Sequence, residues 1–184
     1  MLNIPNSLTA LRLLLIILFM YAALAESFQL RWVAAIALGI AAVTDWLDGY
    51  AARALGQVTE FGKVFDPLVD RLLIASALIV LYMKISELMP LWAVLIVIGR
   101  DVIMVAGWLY MNHIGKRMMV KNEGKLATAM LMLSVFLLML SLQFNSYALQ
   151  IIGVLIFYAG LIGSVTSACN YVKTGITTIK SNHL

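Results

Sequence analysis

Charge is what this sequence has least of. Only 9 acidic and 13 basic side chains are spread over 184 residues, 63% of them hydrophobic, a balance well outside that of a soluble domain. The composition is that of a membrane protein. A single cysteine, Cys169, excludes an internal disulfide and says nothing of redox compartment; it reads as a small helix-packing residue. No segment alternates apolar and polar residues over the length a transmembrane β-barrel needs. There is also no linker, repeat or low-complexity tract, so residues 1–184 read as one domain.

What the sequence does have is apolar segments beginning near Leu8, Trp32, Phe65, Leu88, Leu126 and Tyr147. They are separated by short polar joints: AESFQLR, the DWLD stretch, MKISELMP, HIGKRMMVKNEGK and QFNSY. A bilayer core of about 30 Å needs roughly 20 helical residues, and lipid leaves an open chain no other way to satisfy its backbone. The expected fold is all-α, an integral membrane bundle of six transmembrane helices. The first segment also has the outline of a cleaved signal peptide, with Arg12 ahead of an apolar run ending in Ala23-Leu24-Ala25. It is read as a retained span, because cleavage would discard Asn6, Thr9 and Arg12, which recur on one helical face.

Basic residues set the expected orientation. Arg53 and Lys63 lie in the second joint, Lys116, Arg117, Lys121 and Lys125 in the fourth, and Lys173 and Lys180 after the last span, whereas the opposite joints offer only Arg31 and Lys84. Both termini are therefore expected in the cytoplasm, in a multi-pass protein of the cell (inner) membrane. The net charge of +4, gathered on one rim, suits anionic lipid headgroups and phosphates; nothing beyond charge suggests nucleic acid.

Against this background the stretch DWLDGYAARALGQVTEFGKVFDPLVD, Asp45 to Asp70, is anomalous. After Trp32 the uncharged run WVAAIALGIAAV rises only roughly 18 Å, so the second helix crosses only if DWLDGYAA continues it. LLIASALIVLYM is likewise too short, and the third helix must extend backwards through Asp70 and Asp66. The acids then lie roughly 6 to 10 Å inside the membrane boundary. On a helix Asp45, Asp48, Gly49, Ala52 and Arg53 fall within an arc of about 140°, and Gly62, Asp66 and Asp70 form a stripe at fourfold spacing.

Buried carboxylates without partners repel and take up protons. Two bland readings exist: ion pairs of Arg53 with Asp48 and Arg71 with Asp70 that fix helix packing, or an ion pathway. Neither explains Gly49 and Gly62, which remove side chains beside the acids and admit a bulky ligand or a neighbouring backbone. Magnesium or manganese prefers carboxylate oxygen, and two such ions about 3.5 to 4 Å apart recur in phosphoryl transfer.

Asp45, Asp48, Gly49, Ala52, Arg53, Gly62, Asp66 and Asp70, with every spacing intact, resemble the signature of the CDP-alcohol phosphatidyltransferases. The opening NIPNSLTALR resembles the bacterial phosphatidylglycerophosphate synthases of that family. The resemblance implies transfer of a phosphatidyl group from CDP-diacylglycerol to an alcohol, with release of CMP, by a homodimer using two Mg2+ or Mn2+ ions. It implies that Asp45, Asp48 and Asp66 hold metal, with Asp70 at the edge of the metal site as general base. Asp48, Gly49, Ala52, Arg53 and Gly62 would line the CDP side. Asn6, Thr9 and Arg12 would close the site from the amino terminus; capping by Asn6 or Ser7 and interfacial anchoring by Arg12 are the plainer readings.

Two acceptors fit. Glycerol 3-phosphate needs a basic pocket, for which Lys125, Arg117 and Arg100 are the candidates. Many phosphatidylglycerophosphate synthases carry Arg-Glu in the fourth span and a second Arg two turns on, where this chain has Arg100-Asp101 and Trp108. The run RDVIMVAGWLY is instead similar to cardiolipin synthases of the family, whose acceptor is phosphatidylglycerol. The expected acceptor is glycerol 3-phosphate, from the amino terminus and the length.

Overall fold

A chain with this little charge satisfies its backbone within each segment, and every apolar run becomes a helix. The computed structural model describes residues 4–25, 27–55, 60–114 and 122–180, and the side chains of 7–25, 27–44, 68–112, 114, 124–175 and 177. It contains α1 (Ile4–Leu24), α2 (Phe28–Leu55), α3 (Glu60–Ile85), α4 (Leu91–His113), α5 (Asn122–Phe144) and α6 (Tyr147–Lys180), with no strand among the described residues. Among the described residues, four helices, α1, α4, α5 and α6, are long and apolar enough to cross a membrane. In α2 the apolar part, Phe28–Thr44, stops one residue before Asp45, yet the helix continues to Leu55. The α3 helix likewise begins at Glu60, ahead of Asp66 and Asp70.

The starts differ from expectation by a few residues. The fourth helix begins at Leu91, because Pro90 holds an extended conformation (φ −67°, ψ 149°) and the Ile85 carbonyl closes the preceding turn by accepting from Leu88 and Met89. Between α5 and α6, Asn145 takes a left-handed conformation (φ 49°), which asparagine tolerates better than most residues. The Ser146 N–H then donates to the Ser141 carbonyl, a Schellman closure, and the Ser146 hydroxyl accepts from Leu149 at the start of α6.

Packing relies on small residues, as lipid gives apolar side chains little reason to leave it. Ala34, Ala37 and Ala41 are buried along one stripe of α2, whose main partner is α1. Gly153, Gly160 and Gly163 of α6 face Leu138, Leu131 and Ala127 of α5, the most extensive pairing in the bundle. Across it the Ser134 hydroxyl donates to the Gly153 carbonyl at 2.8 Å. Outward faces stay apolar: Leu14, Ile17 and Leu155 are each about two-thirds exposed, as lipid contact requires.

The helix that organises the bundle is α3. It touches α1, α4, α5 and, least, α2, and it buries Val69, Leu73, Ala77, Leu78 and Leu81. Direct contact between α2 and α3 is slight among the described residues; α1 packs on both and bridges them.

Candidate active site

The signature occupies the last turns of α2 and the first turns of α3, so its residues are carried on helical backbone on both sides of positions 56–59. The side chains of Asp45, Asp48, Gly49, Ala52, Arg53, Gly62 and Asp66 lie outside the described set, as do those of Asn6 and Arg117. Asp70 is described, and its side chain is 37% exposed. From α1, Arg12 donates through Nη1 to Asp70 Oδ1. The arginine side chain has no exposed surface, and Thr9, one turn earlier, is also buried. The amino-terminal helix is thus joined to the end of the signature through a charge that apolar surroundings tolerate only when paired.

A second ionic cluster links α3, α4 and α6. Asp101 Oδ1 accepts from Arg71 Nη1 at 2.9 Å and from Arg100 Nη1 at 2.6 Å, while Arg100 Nε donates to the Ser164 carbonyl at 3.3 Å. Arg100 and Asp101 are both buried. Two positive charges on one carboxylate leave this cluster net positive beside α3. Pairing of Arg71 with Asp70 does not occur among the described contacts: Asp70 is engaged by Arg12 from α1 and Arg71 by Asp101 from α4. The cross-helix pair with Asp101 is not among the sequence-based expectations; the charged residues stranded in the apolar fourth span are its signal.

Lys125 is exposed in the first turn of α5, and Trp108 is half-buried on α4. Beside Trp108, a Cβ on Gly107 would stand 3.0 Å from Tyr171 Cε1, so glycine lets α4 and α6 approach. Among the described residues no three His, Cys, Asp or Glu side chains gather as a metal site; three of the four signature aspartates lie outside that set. The donors the signature brings to the helix ends are all carboxylates, the hard oxygen ligands suited to Mg2+ or Mn2+.

This acid-rich signature is set into a bundle of apolar helices. The sequence matches the family model described as CDP-alcohol phosphatidyltransferase over residues 2–166, and the chain belongs to that family. It is 38% identical over 152 residues to the CDP-diacylglycerol--glycerol-3-phosphate 3-phosphatidyltransferase of Bacillus subtilis (strain 168), covering 76% of this chain and 78% of that protein. The enzyme of the same name from Wigglesworthia glossinidia brevipalpis is 33% identical over 172 residues, 92% of this chain and 93% of that protein. Its counterpart in Haemophilus influenzae (strain ATCC 51907 / DSM 11121 / KW20 / Rd) is 29% identical over 182 residues, 98% and 97% of the two chains.

Proposed function

We propose that this phosphatidyltransferase uses CDP-diacylglycerol as donor and glycerol 3-phosphate as acceptor, yielding phosphatidylglycerophosphate and CMP. The observation that carries the reading is the intact signature across α2 and α3, tied to α1 by Arg12 and Asp70. The names of the relatives, matched over most of their length, favour this acceptor. The acceptor hydroxyl attacks the phosphorus that bears the diacylglycerol; the bond between that phosphorus and the bridging oxygen breaks, and CMP leaves with the oxygen.

The proton of the attacking hydroxyl goes to Asp70, whose exposed carboxylate Arg12 orients through Oδ1. Gly49, Ala52 and Arg53 leave room for, and bind, the cytidine and phosphate side, and Asp45, Asp48, Asp66 and the edge of Asp70 hold divalent metal. Two bound Mg2+ or Mn2+ ions would supply charge neutralisation for the pyrophosphate and the departing phosphate. Lys125, exposed at the start of α5, receives the acceptor's phosphate, with Arg117, earlier in the sequence, as a second ligand. Arg100 contributes positive potential from the Asp101 cluster rather than a free guanidinium. The chain acts as one domain, with α2 and α3 completing six spans, both termini and the site on the cytoplasmic face, and a homodimer as the working unit.

One observation favours a second reading, phosphatidylglycerol as acceptor. Arg100 is held by Asp101 and the Ser164 carbonyl, and the position two turns further along α4 is Trp108, which carries no charge. An acceptor entering laterally through the bilayer with its phosphate esterified needs less charge there. The test is chromatography of lipid products from purified protein given CDP-diacylglycerol and each acceptor in turn. Phosphatidylglycerophosphate is expected; cardiolipin formed with glycerol 3-phosphate left untouched would replace the first reading by the second.

A further inference from the structure

At the far end of the bundle from the aspartates, α1, α2, α3 and α5 enclose a cavity of about 210 Å³. Arg31 on α2 and Lys84 on α3, each about four turns or roughly 21 Å along its helix from Asp45 and Asp70, line it together with Gln143 of α5. The rest of its wall is alanine and aliphatic side chains. No carboxylate among the described residues pairs with Arg31 or Lys84. Gln143 is only 7% exposed, and among the described residues neither its Nε2 nor its Oε1 has a hydrogen-bond partner; the buried Nε of Arg31 has none either.

Buried polar groups in native proteins are almost always paired, so two orphaned atoms on one amide beside two cations form a site built for something. Lys84 is exposed and Arg31 is half-buried over the Phe28 ring at 5.7 Å, so both can turn to a shared anion. The amide requires an acceptor for its N–H2 and a donor for its carbonyl. A phosphate carrying a nearby hydroxyl answers all of these. The depth of the cavity favours lipid over solute: Trp32 and Phe144, the neighbours of Arg31 and Gln143, meet edge-to-face at 5.5 Å, and tryptophan settles at headgroup level. The volume falls below the roughly 300 to 1,000 Å³ that encloses a whole small ligand, so it suits a headgroup whose acyl chains stay in the bilayer.

We propose that this cavity binds the hydroxyl-bearing phosphodiester headgroup of an anionic phospholipid, at a site separate from the signature aspartates. Because α3 carries both Lys84 and Asp70, a lipid seated here braces the helix that presents the aspartate, from the opposite membrane face. The site stands whichever acceptor the aspartates serve.

The test uses the full chain in detergent, with bound lipid counted by native mass spectrometry. Wild type is compared with the double variant Arg31→Gln/Lys84→Gln and with Gln143→Leu, each titrated with phosphatidylglycerol, with phosphatidylcholine and with inorganic phosphate as competitor. Wild type is expected to bind phosphatidylglycerol in preference to phosphatidylcholine, with phosphate a poor competitor. Both variants are expected to bind it at least about tenfold more weakly, with CMP release in the absence of added phosphatidylglycerol unchanged in the double variant. Equal phosphatidylglycerol affinity in wild type and the double variant would overturn the site. Displacement by inorganic phosphate at concentrations comparable to the lipid would overturn the lipid as its occupant. The double variant changes side chains at the cavity mouth, and decides the matter even where Gln143→Leu does not fold.

Discussion

Arg12 and Asp70, 58 residues apart in the chain, meet as an ion pair in which the arginine is fully buried and the carboxylate is 37% exposed. That asymmetry predicts unequal costs. Asp70→Ala takes a carboxylate away from a fully buried guanidinium and should lower stability more than Arg12→Gln, which leaves a carboxylate that water still reaches and should cost about 1 to 3 kcal/mol. Unfolding of both variants in mild detergent measures the difference. Equal costs would mean that Asp70 is as dry as Arg12.

Stability and chemistry separate in a second experiment. Asp70→Asn keeps an acceptor for Arg12 but loses the base, so turnover should fall by about 100-fold or more while CDP-diacylglycerol binding is largely kept. Asp45→Asn and Asp66→Asn should instead lose donor affinity. Equal loss of donor affinity in all three variants would contradict this division of labour.

Metal dependence follows from the all-carboxylate donor set. CMP release should stop in excess chelator and return on addition of magnesium or manganese. Full turnover after thorough chelation would remove the metal from the mechanism.

Lys125, exposed in the first turn of α5, bears on the acceptor. Lys125→Gln should raise the Michaelis constant for glycerol 3-phosphate by roughly 10- to 100-fold, the worth of a charge-assisted hydrogen bond, with the donor constant nearly unchanged. Steady-state kinetics with each substrate varied in turn separates the two. An unchanged acceptor constant would leave Lys125 as a topology determinant only.

The α5–α6 seam offers a prediction about the scaffold. A Cβ at Gly153 would stand 2.8 Å from Leu138 Cγ and 3.4 Å from its backbone nitrogen, so Gly153→Val should destabilise by about 1 to 3 kcal/mol. Gly99, whose added Cβ would meet nothing within 4 Å, should accept alanine with no packing cost, and the two unfolding curves side by side check the contrast.

Much of the scaffold is legible in the sequence. The shortness of two apolar runs requires α2 to continue through Asp45 and Asp48 and α3 to begin ahead of Asp66, and both helices do so. Arg12 is marked by its place on one face with Asn6 and Thr9, but nothing local says that it reaches Asp70. Arg71 has an acid as its neighbour in sequence, yet it pairs with Asp101 on another helix.

The sequence by itself determined which segments are helices, which face of each carries polar groups, and the family, since all three rest on spacing along a single chain. Only the tertiary structure decided the partners: Arg12 with Asp70, Arg71 with Asp101, and Arg31, Lys84 and Gln143 around one cavity. The physical reason is range. Hydrogen bonding and periodicity set a helix within a few residues, whereas the choice of neighbouring helix is the sum of many weak contacts of alanine and glycine stripes, and a polar side chain takes whichever partner that packing brings within reach.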